Sequence, residues 1–142
     1  MICLDIIIPM NTQKPVEIIM LEEDRALADL ILMALEREGL RAAVVSRPAD
    51  LWAVLEALQP RLVILDLFLT GHSGLELLQE MKEKGWLDQT RVLVVSSLGF
   101  REVVKQATQL GAIDFIVKPF DIDAFLQRVQ KCLRSRAPIN LD

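Results

Sequence analysis

Two hydrophobic rhythms alternate along the chain. Short, mostly apolar runs occupy residues 16–21, 40–45, 61–65, 91–95 and 115–117, and after each of them apolar positions fall three and four apart. A brief apolar run bounded by turn residues predicts a strand covered on both faces, whereas three-and-four spacing predicts a helix with one buried stripe. The first helix spans residues 25–38, turns Leu27, Leu30, Ile31, Ala34 and Leu35 inward, and stops at Gly39, which accepts the left-handed backbone of a helix end. Pro48 fits the first turn of a second helix that buries Leu51, Trp52, Leu55 and Leu58 and ends at Gln59-Pro60. Gly71 and Gly74 mark a loop before a third helix carrying Leu75, Leu77, Leu78 and Met81 inward. The fourth helix, residues 100–110, buries Val103, Val104, Ala107 and Leu110, and the last, residues 122–134, buries Phe125, Leu126, Val129 and Leu133. Its basic end, Lys131, Arg134 and Arg136, complements the helix dipole.

Strict alternation of five strands with five helices implies right-handed crossovers and an α/β fold: a doubly wound five-stranded parallel sheet with helices on both faces. The flavodoxin-like strand order 2-1-3-4-5 follows, with its switch point between the first and third strands. The polar stretch Asn11-Thr12-Gln13-Lys14-Pro15 separates an N-terminal extension, residues 1–15, from one compact domain, residues 16–136, and residues 137–142 form a C-terminal tail. The apolar opening lacks a basic flank, carries Asp5 and meets Pro9 too early for a signal peptide or a spanning helix. It reads as a docked or fraying extension, with an extra edge strand or a partner-binding arm as the alternative.

Composition narrows the function classes. The hydrophobic share of 52% supports a core on two sides of the sheet, and the net charge of −4 argues against the broad basic face that nucleic acid binding needs. Cys3 and Cys132 lie at opposite ends of the chain without metal-type spacing, which fits free thiols in a reducing cytoplasm. No internal repeat or low-complexity tract is present.

The chemistry collects at the strand ends. Glu22 and Glu23 follow the first strand, Asp66 the third, Ser96 the fourth and Lys118-Pro119 the fifth. In an open α/β sheet these ends meet at the carboxyl edge, where ligands bind. Carboxylates sharing a crevice repel one another, so one has a raised pKa unless a cation neutralises them. Oxygen-only ligands select a hard ion, Mg²⁺ with Mn²⁺ as the alternative. A lysine ammonium and a hydroxyl beside them supply what holds a phosphoryl group on a carboxylate, with Asp66 as the nucleophile. Taken singly, each carboxylate reads equally well as a helix cap, Ser96 as a cap of the fourth helix and Lys118 as a solvated side chain. His72, a lone loop histidine without ligand-spaced neighbours, receives no role, and Trp52 and Trp86 read as packing and rim residues.

Four features in this order resemble a response-regulator receiver domain over residues 16–136: the acidic pair, Asp66 in Asp66-Leu67-Phe68-Leu69-Thr70-Gly71-His72-Ser73-Gly74-Leu75, Ser96-Ser97, and Phe115 with Lys118-Pro119-Phe120. The resemblance implies that Asp66 accepts a phosphoryl group from a phosphohistidine on a sensor histidine kinase or histidine phosphotransfer protein. By the same resemblance Glu22, Glu23, Asp66 and the Phe68 backbone carbonyl hold the metal, Ser96 and Lys118 contact the phosphoryl oxygens, and Phe115 reports the switch. The Lys118-Pro119 bond is then cis, and Phe68 and Leu98 flank and shield the acyl phosphate against water. The output surface is the fourth helix, fifth strand and last helix, docking a downstream protein or a second copy, with no nucleic acid or membrane contacted directly.

Three positions depart from the family pattern. Glu23 is longer than the usual aspartate, where Mg²⁺ demands near-ideal octahedral geometry at about 2.1 Å, and a register shifted by one would bring in Asp24. Thr70 stands in place of the usual proline, and Ser96 in place of the commoner threonine. The principal reading is a phosphorylation-dependent switch, not a turnover enzyme, either standing alone or excised from a longer regulator. Its alternatives are a degenerate receiver acting as a phosphorylation-independent binding module and a phosphatase resembling the haloacid dehalogenases. The phosphatase reading suffers because Phe68 replaces a second aspartate and the acidic pair precedes the nucleophile.

Overall fold

Five parallel strands run side by side in a computed structural model that describes residues 6–7 and 14–135. They are β1 (Ile18–Leu21), β2 (Ala42–Val45), β3 (Leu62–Asp66), β4 (Arg91–Ser96) and β5 (Asp114–Val117), in the expected order 2-1-3-4-5. Five helices separate or follow them: α1 (Arg25–Arg37), α2 (Leu51–Leu58), α3 (Gly74–Glu83), α4 (Arg101–Gln109) and α5 (Ile122–Arg134). A 3-10 turn, Pro48–Asp50, leads into α2, as the fixed φ of proline favours.

Because side chains alternate across a strand, each strand feeds two cores. Ile19, Leu21, Val63, Leu65, Val92 and Val94 face α2, α3 and α4, while Ile18, Met20, Leu62, Ile64, Leu93 and Val95 face α1 and α5. Both faces are therefore sealed, which explains runs of apolar residues without polar alternation.

Pairing sets the height of the site. Leu21 aligns with Leu65, Asp66 with Val95, and Ser96 with Val117, so Glu22, Asp66, Ser96 and Lys118 emerge at one edge. Asp24, the alternative member of the acidic pair, instead caps α1 by accepting the Leu27 N–H at 3.1 Å.

Leu30, expected to face inward from α1, is 54% exposed. Three further features differ from the sequence pattern. Ile6–Ile7 adds a sixth, antiparallel strand beside β2, pairing with Val45 and Val44, so this part of the extension is an edge strand. Secondly, Phe68–Leu69 and His72–Ser73 form a small antiparallel hairpin beyond β3. Gly71, at φ +75°, lets its turn close. Thirdly, α4 buries Ala107 fully, while Val103, Val104 and Leu110 stay half-buried. Cys132 packs in the core with α1 and α5, where burial raises its thiol pKa to about 11. Cys3, Arg136 and the tail at residues 137–142 lie outside the described residues.

Candidate functional site

Lys118 joins two strand ends that are distant in sequence. Its Nζ donates to Glu22 Oε2 at 2.7 Å and to Asp66 Oδ2 at 2.8 Å, and both carboxylates are about 95% buried, each with only 5% of its surface exposed. The remaining oxygens are also engaged: Asp66 Oδ1 accepts the Phe68 N–H at 2.9 Å and Glu22 Oε1 the Asp24 N–H at 3.0 Å. The solvated-lysine reading of Lys118 is thereby excluded. Its bond to Pro119 is cis.

Ser96 is fully buried beside this triad, and its Oγ accepts the Leu98 N–H at 3.1 Å. Its carbonyl accepts the Lys118 N–H at 2.9 Å, tying the two strand ends together. The cap of α4 is Phe100, so Ser96 does not serve there. Phe115 is half-buried against the core on the α4 side, and its carbonyl accepts Arg128 Nη2 at 3.0 Å.

One ammonium facing two carboxylates leaves a negative charge uncompensated. Burial lowers the Lys118 pKa, but the bonds to Asp66 and Glu22 overcome this and leave it raised, so the lysine stays charged. For Glu22, burial raises the carboxyl pKa and the Asp66 charge adds to it, outweighing the lowering by Lys118 and by the Asp24 N–H. The Lys118 cation is thus held between two buried carboxylates.

The second acid faces elsewhere. Thr70, on the hairpin, donates its N–H to Glu23 Oε1 and its hydroxyl to Glu23 Oε2 at 2.7 Å. Sequence reasoning treated Thr70 only as a missing proline, although a proline lacks both donors and a threonine has both. Gly74 does more than mark the loop. A Cβ there would collide with Leu67 Cα and lie 2.5 Å from the Asp66 carbonyl oxygen, so only glycine permits the hairpin to fold back onto the acceptor strand.

Phe68, 68% exposed, and half-buried Leu98 line an open cavity of about 280 Å³ together with Leu67, Leu69 and Val103. His72 lies at the same cavity, exposed and without a metal-binding partner set. The available donors are two buried carboxylates, one exposed carboxylate and the Phe68 carbonyl, an all-oxygen set suited in kind to a hard divalent cation. Among the described residues, no three acidic, histidine or cysteine side chains already converge closely enough to hold one.

The sequence model of the response regulator receiver domain matches residues 18–130. This chain belongs to that family. The receiver is 29% identical over 122 residues to the phosphate regulon transcriptional regulatory protein PhoB of Rhizobium meliloti, covering 86% of this chain and 54% of that protein. It thus spans about half the length of that relative. It is 26% identical over 118 residues to sporulation initiation phosphotransferase F of Bacillus subtilis, covering 82% of this chain and 93% of that one. Its fold also matches the crystal structure of the BeF3-activated N-terminal receiver domain of Klebsiella pneumoniae RstA, with TM-score 0.77, 25% identity and coverage of 84% and 99%. The family comprises signalling switches rather than classical turnover enzymes and generally binds Mg²⁺. No helix among the described residues is long and apolar enough to cross a membrane.

Proposed function

We propose that this receiver is a phosphorylation-dependent switch of a two-component phosphorelay, with Asp66 as the phosphoacceptor. The supporting observation is the Lys118 ammonium, 2.8 Å from an Asp66 carboxylate that is itself buried at the strand edge. An Asp66 oxygen attacks phosphorus, the phosphorus–nitrogen bond of the donor phosphohistidine breaks, and the electron pair leaves on the imidazole. Lys118 then shifts from Asp66 to the phosphoryl oxygens. Ser96 accepts a backbone N–H through Oγ, which leaves its own proton to donate to the same group.

Glu22, Glu23, Asp66 and the Phe68 carbonyl are the residues that would hold Mg²⁺, or Mn²⁺ in its place. A bound divalent cation neutralises phosphoryl charge during transfer. Phe68 and Leu98 flank the acceptor with apolar surface and slow hydrolysis.

Phosphorylation biases the segment from Ser96 through α4 to Phe115 and α5, altering what docks there. Exposed apolar residues support that surface: Phe100 is 68% and Val117 46% exposed. Its occupant is a downstream protein or a second copy of this chain. The donor is a sensor histidine kinase or histidine phosphotransfer protein, which places the receiver in the cytoplasm.

A second reading, a phosphorylation-independent binding module, draws on the commitment of Glu23 to Thr70. Intact mass after incubation with Mg²⁺ and acetyl phosphate separates the two. One phosphoryl adduct in the wild type and none in Asp66→Ala is expected; an unmodified wild type supports the module.

A further inference from the structure

We infer that Thr70 sets the divalent-cation affinity of this site by competing for the Glu23 carboxylate. The inference rests on the reading above, in which Glu23 is a metal ligand.

The acidic pair is divided between two tasks. Glu22 turns inward to Lys118, whereas both oxygens of Glu23 are taken by one residue of the hairpin, the N–H and the hydroxyl of Thr70. These two positions are also two of the three departures from the family pattern. They are complementary in chemistry: the additional methylene of glutamate gives reach, and threonine supplies a backbone N–H and a hydroxyl that proline would not. The longer acid and the missing proline therefore form one latch between the β1–α1 turn and the hairpin.

Such a latch opposes cation binding. Among the described residues no three acidic side chains are gathered for a metal, and Glu23 must give up Thr70 donors to join Asp66. Donors to a charged carboxylate form the stronger class of hydrogen bond, although exposure of Glu23 and Thr70 to solvent discounts their worth. Cation capture and the latch consequently compete for one carboxylate. Drawing Glu23 toward Asp66 also loosens its hold on the tip of the hairpin, whose first strand carries the Phe68 carbonyl.

Calorimetric titration of Mg²⁺ into the full chain tests this without any phosphodonor. Thr70→Ser keeps both donors, Thr70→Val removes the hydroxyl alone, and Thr70→Pro removes both. The dissociation constant is expected to be unchanged in Thr70→Ser, about threefold lower in Thr70→Val and about tenfold lower in Thr70→Pro. Circular dichroism confirms that each variant is folded, and Thr70→Val, nearly isosteric, decides the matter should Thr70→Pro misfold. Unchanged or weaker affinity in Thr70→Val overturns the inference. If the wild type binds Mg²⁺ and Asp66→Ala does not, while the Thr70 variants all match the wild type, the inference fails and the metal site stands. If no variant binds Mg²⁺, both fail.

Discussion

Helices α4 and α5 flank the same strand, yet they are attached to the molecule very differently. Helix α5 buries Phe125, Val129, Cys132 and Leu133, and the Phe125 ring stacks on Phe120 with centroids 4.8 Å apart. Asp121 caps its first turn by accepting the Ala124 N–H at 3.0 Å, and Lys131 and Arg134 sit at its negative end. Helix α4 is shorter, buries Ala107 alone, and begins at Phe100 without a side-chain cap. Local stability follows buried contacts and caps, so α4 belongs to the lower end of the stability range and α5 to the upper. A change of charge beside Ser96 and Leu98 thus moves α4 most readily, while α5, the far end of the proposed switch segment, shifts least.

The contrast can be broken most decisively in α5. Phe125→Ala is expected to destabilise the domain by about 3–5 kcal/mol in urea unfolding, since the ring is buried and stacked. A loss near that of a surface residue would mean that α5 is no better anchored than its neighbour.

A smaller effect comes from the fastening between β5 and α5. Arg128 Nε donates to Asp114 Oδ2 at 2.8 Å and Nη2 to Oδ1. Burial raises the Asp114 pKa, but the Arg128 hydrogen bonds and charge overcome it, so the folded value lies below the usual 3.8. A depressed carboxyl contributes stability above its unfolded pKa and loses it as pH falls through the folded value. With the Arg128 side chain 44% exposed, Arg128→Met should cost only about 1 kcal/mol at pH 7. The gap from the wild type should then close below about pH 4. A gap independent of pH would assign the loss to packing of the arginine stem.

The smallest effect is expected in α4. Val103→Ala removes a half-buried side chain and should cost at most about 1 kcal/mol by the same urea measurement. A cost matching Phe125→Ala would place α4 firmly within the core and remove it as the moving element.

The sheet and its edge were legible because both are written in local runs. Residues 61–65 are apolar and bounded by turn residues, and the polar group that ends each strand fixes the position of the site. Convergence of Glu22 with Asp66 follows from strand order; that of Lys118, whose strand is separated from β3 by β4, follows from the family resemblance. What escaped the reading depends on contacts across long stretches of chain. Thr70 meets Glu23 from 47 residues away, and no periodicity marks that bond. The requirement for glycine at residue 74 comes from the backbone of Leu67 and Asp66 folded against it. Val104 and Leu110 follow helical spacing as well as Ala107 does, yet both stay half-buried. The Ile6–Ile7 strand could be kept only as an alternative, because an apolar terminus serves docking, pairing or fraying equally well.

Whether Asp66 carries the phosphoryl group is decided by chemical trapping of an acyl phosphate. After incubation with Mg²⁺ and a phosphodonor, borohydride reduces such a group to homoserine, and tandem mass spectrometry locates the altered residue. Conversion is expected at position 66 and is lost in Asp66→Asn. Conversion at Glu22 or Glu23, or none in a folded, Mg²⁺-loaded protein, would contradict Asp66 as the acceptor.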